Sequence, residues 1–291
     1  MKILITGGTG QLGRDCEQVL QRIGDVVAVG SKDVDISRLS DVEKTVRHVA
    51  PDIIINCAAF TNVDACETES RRCREVNVIG PRNLASSVET YGGRLIHISS
   101  DYVFDGKKPF PEPYVEEDSP NPLSVYGKSK LEGEDAIRRA TARYTILRTA
   151  WLYGINGRNF LKTILGLALK ESGKQIKVVN DQFGSPTWSR SLAIQISKMI
   201  GENLQGTYHA TSEGYCSWHE LAVYFLEKMG VFHTVTPCTS DDYPAAATRP
   251  RNSILENRRL KEKGIDLMAP WKTDLNQYIS EFGDRLMREL E

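Results

Sequence analysis

The chain has 291 residues, room for about two domains at roughly 150 residues each and enough to bury a full core without staples. Lys and Arg number 37 against 38 Asp and Glu, a formal net charge of −1, which gives no support to a protein built around a nucleic-acid backbone or an anionic membrane. Charged residues at 26% and hydrophobic residues at 40% are ordinary globular usage and speak against wholesale disorder. No window approaches the roughly 18 apolar residues of a membrane span, and the N-terminal apolar run is too short for a signal segment, so a cytoplasmic protein is expected. The six cysteines (Cys16, Cys57, Cys66, Cys73, Cys216 and Cys238) contain no C-x-x-C pair and read as buried, reduced thiols. The histidines show no metal-binding spacing, and no metal ligands are assigned.

In chain order, Lys2–Thr6 reads as a buried strand. Gln11–Arg22 follows as a helix with Leu12, Cys16, Val19, Leu20 and Ile23 on one side. Val26–Val29 is a second strand. Ser40–Ala50 reads as a helix with Ser40 as N-cap and Glu43 at capping-box spacing, stopped by Pro51. Asp52–Cys57 is a continuous apolar strand of the kind a two-sided parallel sheet buries. Ser70–Tyr91 is helical, with Gly80-Pro81 expected to break or kink it. Arg94–Ser99, a long helix within Asn121–Arg139, and Tyr144–Thr149 complete a strand–helix alternation. That alternation predicts an α/β, Rossmann-type, doubly wound parallel sheet over residues 1–150. Beyond Trp151 the pattern loosens: helices over Phe160–Glu171, Ser191–Gly201, Trp218–Met229 (capped by Ser217 with Glu220) and Thr273–Leu290, and a loop over Pro237–Pro250. Residues 151–291 are read as a smaller α/β substrate-binding lobe, with some segments returning to the sheet.

Gly7-Gly8-Thr9-Gly10-Gln11-Leu12-Gly13 lies directly between the first strand and the first helix. Glycines there permit a tight turn, close approach of a pyrophosphate and close helix–sheet packing, and the helix N-terminus offers free N–H groups to the phosphates. The second strand normally ends in an acidic residue for the ribose 2′-hydroxyl. Here it runs into Gly30-Ser31-Lys32. A small hydroxyl and a cation suit a 2′-phosphate, so NADPH is favoured over NADH; Asp33 and Asp35 keep NADH open, and Lys32 can equally be a solvated lysine.

Tyr126-Gly-Lys-Ser-Lys130 is a Y-x-x-x-K. Positions i and i+4 share one helical face, and a lysine ammonium is expected to move the phenol's pKa toward neutrality so that it can serve as acid or base on a carbonyl/alcohol couple. The preceding strand ends in Ser99-Ser100-Asp101, at the carboxyl edge where parallel sheets bind ligands. A serine hydroxyl there can hydrogen-bond the same carbonyl oxygen.

The glycine turn, Asn56-Cys-Ala58-Ala59-Phe60, the serine at the strand end and Tyr126-x-x-x-Lys130 together resemble the extended short-chain dehydrogenase/reductase family. Longer stretches match its nucleotide-sugar reductases: Ala58 to Glu67, Ser99 to Phe104, Pro122 to Lys130, Arg148 to Tyr153, Asn180 to Thr187 and Arg249 to Ser253. The resemblance implies hydride transfer from a nicotinamide to C4 of a 4-keto-6-deoxysugar on dTDP, taking dTDP-4-dehydro-L-rhamnose to dTDP-L-rhamnose. It implies Ser100, Tyr126 and Lys130 as catalytic residues. Gly7, Gly10, Gln11, Leu12, Gly13, Ser31, Asp35, Ile36, Ala58, Ala59 and Phe60 would hold the cofactor, with Tyr126 and Lys130. Ser100, Asp101, Trp151 and Arg249 would meet the substrate, and Asp181 and Gln182 would shape its pocket. Trp151 as a plain core aromatic, and Asp181-Gln182 as a simple turn, stay open. So do a homodimer and an associated Mg²⁺.

Two rivals share the resemblance. A related dehydratase would carry Glu after the strand-end acid, where this chain has Tyr102, and an epimerase would retain its NAD. A non-catalytic cofactor-binding subunit, like the regulatory subunit of methionine adenosyltransferase, would lack turnover. The joint presence of Ser100, Tyr126, Lys130 and Trp151 favours an enzyme.

Overall fold

The computed structural model describes residues 1–170, 175–243 and 245–290. In the first half, β1 (Lys2–Thr6), α1 (Gln11–Leu20), β2 (Asp25–Val29), α2 (Leu39–Val49) and β3 (Ile53–Asn56) alternate. Two short helices, α3 (Val63–Thr68) and α4 (Ser70–Arg74), lead through a π-helical turn at Glu75–Ile79 into α5 (Gly80–Tyr91). Then come β4 (Arg94–Ser100), α6 (Val125–Ala140) and β5 (Tyr144–Thr149). In the second half, β6 (Leu152–Tyr153), α7 (Phe160–Lys170), β7 (Ile176–Val179), β8 (Phe183–Gly184), β9 (Thr187–Trp188) and α8 (Ser189–Gly201) precede β10 (Gly206–His209). The chain ends with β11 (Cys216–Ser217), α9 (Trp218–Lys228), β12 (Val235–Cys238), α10 (Arg258–Glu262) and α11 (Trp271–Leu290).

Six parallel strands form the central sheet in the order β10-β5-β4-β3-β1-β2. Alternate residues of each strand go to opposite faces, and both faces are covered. Ile3, Ile5, Ile53, Ile55, Ile96 and Ile98 pack with Leu12, Cys16 and Leu20 of α1 and with Leu192, Ala193 and Ile196 of α8. Leu4, Ile54, Leu95 and Ile146 face the other way, toward Val42 and Val46 of α2, Leu84 and Val88 of α5, and Ile137 of α6. The fold is therefore the expected doubly wound α/β sheet. Elements of the second half contribute to it directly: β10 forms its edge beside β5, and α8 lies on α1. A separate core gathers α7, α9 and α11 around Trp188, Phe225, Trp271, Leu275 and Tyr278.

Several local expectations are corrected. Helix α2 begins at Leu39 with Arg38 in the N-cap position and no side-chain cap, so the Ser40–Glu43 box does not form; the Ser40 hydroxyl instead turns to Asp41. Ile23 lies past the end of α1 and is exposed. Gly80-Pro81 does not break its helix. Pro81 lacks the N–H that would bond the Asn77 carbonyl in α-geometry, and the chain adopts one π turn there, with Gly80 N–H reaching Glu75 O. The expected loop at Pro237–Pro250 opens in strand, since β12 pairs with β7. Glu171, the expected end of α7, and Pro244 of that loop lie outside the described residues. The box at α9 forms as expected, with Ser217 and Glu220 capping each other. All six cysteines are free thiols, four of them buried. Among the described residues no helix is long and apolar enough to cross a membrane.

Candidate active site

The carboxyl edge of the sheet collects the residues singled out above. Gly7 takes the left-handed backbone, with φ of 73°, and a Cβ there would sit 2.6 Å from Ala58 N. A Cβ on Gly13 would meet Gly7 O at 2.2 Å, so only glycine lets α1 pack against the turn. Helix α1 has no side-chain cap, and its first backbone bond is Arg14 N–H to Gly10 O. The N–H groups of Gln11, Leu12 and Gly13 precede that bond and, with the helix dipole, form an anion cradle. The structure thus fits a dinucleotide pyrophosphate: a side chain at either glycine would collide with the backbone that shapes the turn. The Gln11 carboxamide oxygen accepts from Asn159 Nδ2 at 2.9 Å, fastening the turn to the start of α7.

At the adenosine end, Ser31 and Lys32 are exposed at the tip of β2. Asp33 is turned back on the loop, its carboxylate accepting Gly30 N–H at 2.7 Å. Asp35 accepts from the backbone and hydroxyl of Ser37 and pairs with Arg38. Ile36 is buried beneath α5, where a Cβ on Gly80 would strike it and where Asn83 binds its carbonyl. Ala58, Ala59 and Phe60 are half-buried beyond β3. They are held by two asparagines. Asn56 accepts Ala58 N–H and joins Thr6 to His97. Asn77 exchanges hydrogen bonds with both backbone groups of Phe60 and reaches Ser129 on α6.

Helix α6 delivers Tyr126 and Lys130 on one buried face. Ser124 caps it, accepting Gly127 N–H. A Cβ on Gly127 would lie 2.2 Å from Tyr102 O, and one on Gly133 2.2 Å from Asn77 O, so both glycines let the helix sit against the strand end and the π turn. Tyr126 is 9% exposed and meets Tyr102 edge-on at 5.6 Å. Burial pushes its phenol well above its ordinary pKa, with the Ser100 hydroxyl, hydrogen-bonded to it, acting in the opposite direction. The expected lowering of the phenol's pKa toward neutrality is therefore not what this environment produces: burial outweighs it. Lys130 Nζ donates to Ile98 O at 2.6 Å, and burial brings its ammonium down to about 8, with Glu134 opposing. Ser100 donates to Asp101 Oδ1 at 2.8 Å; burial lifts Asp101 to about 6 despite hydrogen bonds from Ser253 and Ser100.

Trp151 stands two residues past β5, whose Thr149 is the register partner of Ser100. It is half-buried and stacks on Trp218. Arg249 makes a two-pronged bond to Asp64, at 3.1 and 2.7 Å, which holds that carboxylate below its usual range. Arg249 also borders a cavity of about 640 Å³ shared with Phe160, Gln182, Trp218 and Arg251. Asp181 is not among the lining residues; it accepts from the backbone and hydroxyl of Ser240, tying the loop before β8 to the segment after β12. The structure thus brings Ser100, Asp101 and Tyr126 together, sets Lys130 on the same buried face of α6 against Ile98 O, and connects Arg249 to Tyr102, which packs on Tyr126.

Sequence reasoning missed a second layer. Glu134, one turn beyond Lys130, accepts from Ser99 at 2.6 Å, from Arg148 at 2.9 and 2.8 Å, and from Arg138 at 2.7 Å. It joins α6, β4 and β5 behind the site. A carboxylate on the buried face of α6, four residues after Lys130, was the available signal. Asn77, Asp64 and Trp218 carried no local signal, because their partners are remote in sequence.

Residues 1–283 match the family described as RmlD substrate binding domain. The spore coat polysaccharide biosynthesis protein SpsK of Bacillus subtilis is 39% identical, over 96% of this chain and 97% of its own length. The crystal structure of a dTDP-4-dehydrorhamnose reductase from Clostridium acetobutylicum superposes with a TM-score of 0.93 at 42% identity, covering 97% of this chain and 99% of that one. A dTDP-4-dehydrorhamnose reductase from Bacillus anthracis, solved in complex with NADP, has a TM-score of 0.92 at 38% identity, with 96% and 99% covered. With its glycine turn and its tyrosine–lysine helix in place and residues 1–283 matched, the chain belongs to the dTDP-4-dehydrorhamnose reductase family, that of the RmlD substrate-binding domain.

Proposed function

We propose that this protein reduces the C4 ketone of dTDP-4-dehydro-L-rhamnose to the alcohol of dTDP-L-rhamnose, with NADPH as reductant. The observation that carries the reading is the convergence of Ser100, Tyr126 and Lys130 at the sheet edge that also carries the glycine cradle. Bound in that cradle, NADPH supplies the hydride. The chain's own groups do the rest. Ser100 hydrogen-bonds the ketone oxygen. Tyr126, kept as a neutral phenol by burial, gives its proton to the oxygen as it becomes an alcohol. Lys130, a buried cation on the next turn, steadies the phenolate left behind and binds the nicotinamide ribose. Gln11, Leu12 and Gly13 receive the pyrophosphate, and Ala58, Ala59 and Phe60 line the cofactor's path.

With Asp33 drawn back to Gly30 N–H, Ser31 and Lys32 meet the ribose and favour a 2′-phosphate. In this reading residues 1–150, with α8 and β10, carry the cofactor. The rest of residues 151–291 carries the nucleotide sugar, its dTDP portion entering the cavity between Phe160, Gln182 and the guanidinium groups of Arg249 and Arg251. A homodimer and a cytoplasmic location belong to the same reading, and sedimentation of the purified chain reads the first. Mg²⁺ gains no support: among the described residues no three His, Cys, Asp or Glu gather where they could hold a metal ion.

The test is cofactor oxidation, followed by absorbance, with a small panel of 4-keto-6-deoxy nucleotide sugars and with NADPH and NADH in parallel. Turnover with the dTDP-linked ketosugar, faster with NADPH, is expected. No oxidation with any ketosugar overturns the proposal.

A further inference from the structure

Trp151 has a backbone that an indole rarely adopts. Among the described residues, three non-glycines have positive φ: Ala50, Asn203 and Trp151. Ala50 closes a helix and Asn203 follows one. Trp151, at φ of 47°, does neither. It follows Ala150 at the carboxyl edge, where the chain turns into β6, and its carbonyl accepts Thr187 N–H at 3.2 Å. Strain of this kind persists only where the surroundings over-determine it, and it collects at ligand sites.

Two features hold the ring. Trp218 stacks on it, with centroids 3.4 Å apart and planes 5° from parallel. Gly184 lies so close that a Cβ would stand 2.5 Å from Trp151 Cε2 and 2.6 Å from Nε1. Both come from one small ladder. In the β8–β11 pair Gly184 faces Cys216 and Phe183 faces Ser217, and Trp218 is the next residue, starting α9 behind the Ser217–Glu220 box. The ladder is itself anchored, Ser217 bonding Asn180 and Phe183 bonding the backbone of Arg251 and Ser253. Trp218 also leans on Phe160 at 4.6 Å and lines the cavity.

We propose that Trp218 and Gly184 are positioning residues that clamp Trp151 in its left-handed conformation, so that its indole meets the sugar ring of the bound nucleotide sugar as a fixed apolar wall. This rests on the reading that Trp151 faces the sugar. The clamp explains why a glycine stands at 184 and why a half-buried indole tolerates an unfavourable backbone. A fixed wall selects a deoxysugar by the shape of its apolar face, and its loss weakens substrate binding more than chemistry.

The test uses the full-length chain and the variants Trp218→Leu, Trp218→Phe and Gly184→Ala. Stacked indoles give an exciton couplet in far-ultraviolet circular dichroism, readable without substrate. Trp188 and Trp271 stack on no indole and meet tyrosines instead, so the couplet reports the Trp151–Trp218 pair. It is expected in the wild type, absent in Trp218→Leu and diminished in Gly184→Ala. In steady-state assays, KM for dTDP-4-dehydro-L-rhamnose is expected to rise about tenfold in Trp218→Leu and Gly184→Ala, while kcat and KM for NADPH change less than about threefold. Trp218→Phe, which keeps a stacking ring, is expected to recover most of the loss.

An unchanged substrate KM in both Trp218→Leu and Gly184→Ala overturns the proposal. So does a joint fall in kcat and NADPH affinity, the mark of general damage. Should the wild type oxidise no NADPH with the ketosugar, the functional reading falls on its own. The couplet still decides the clamp: its absence from the wild type, or its persistence undiminished in Gly184→Ala, overturns it.

Discussion

Tyr126 is placed where the neutral phenol is favoured over the phenolate, and that preference suits one direction of chemistry. A reduction needs the acid form before hydride arrives. Tyr126→Phe is therefore expected to cut kcat by about a hundredfold or more, the usual share of a general acid, while NADPH still binds; fluorescence titration and turnover measured together check both halves. In the proposed mechanism Lys130 sets the alkaline limit. Its ammonium, brought down to about 8, is charged below that pH and loses its proton as pH rises through it. Turnover is expected to fall along an alkaline limb centred near that value, and a pH–rate profile flat to about pH 10 would contradict the role given to Lys130. Asp101 has the opposite sign. Its carboxyl is raised to about 6, so the native state holds its proton longer than the unfolded chain does. The contribution is favourable only at low pH and is lost as pH rises from about 4 toward 6. Asp101→Asn removes the cost of burying that charge. It is expected to raise stability at pH 7.5, by on the order of 2 kcal/mol, and to have little effect at pH 4.5; denaturant unfolding at the two pH values reads the difference.

Among the elements, α6 has the tightest tolerances. It approaches Tyr102 O through Gly127 and Asn77 O through Gly133, at distances no Cβ can share. Gly133→Ala is expected to destabilise the protein by about 1–3 kcal/mol, as overpacking does, and to lower turnover by shifting Tyr126; chemical denaturation and kcat measure the two effects. The helix itself was plain in the sequence, because Tyr126 and Lys130 share a face at i and i+4. So were the sheet strands, since apolar runs such as Ile53-Ile54-Ile55 fit only a sheet covered on both sides. What the sequence hid has a common physical cause. The π turn at Glu75–Ile79 depends on what Pro81 cannot donate and what Gly133 leaves room for. The Glu134 network draws its donors from two strands and one helix. The Ser40 box looked right locally and failed, because α2 begins at Leu39 and its cap position falls two residues earlier, on Arg38. Periodicity reports which face is buried and says nothing of which remote group lies opposite. That is why Ser100, Tyr126 and Lys130 were legible while Trp218 and Asp64 were not.

For the molecule as a whole, the decisive point is that the second half finishes the sheet of the first. Strand β10 hydrogen-bonds to β5, and α8 covers the face formed by Leu12, Cys16 and Leu20. Asp15, buried on α1, receives the Ser189 hydroxyl. A fragment of residues 1–150 is expected to leave β5 as an open edge and α1 uncovered, and to aggregate or remain only partly folded; far-ultraviolet circular dichroism and light scattering of the fragment check this. The link between Gln11 and Asn159 carries a thermodynamic consequence of its own. Gln11 belongs to the cradle, and Asn159 opens the helix that supplies Phe160 and Ile164 to the cavity. If the two proposed ligands bind on either side of that amide pair, whatever affinity the dinucleotide lends to the sugar nucleotide, the sugar nucleotide must return to the dinucleotide in equal measure.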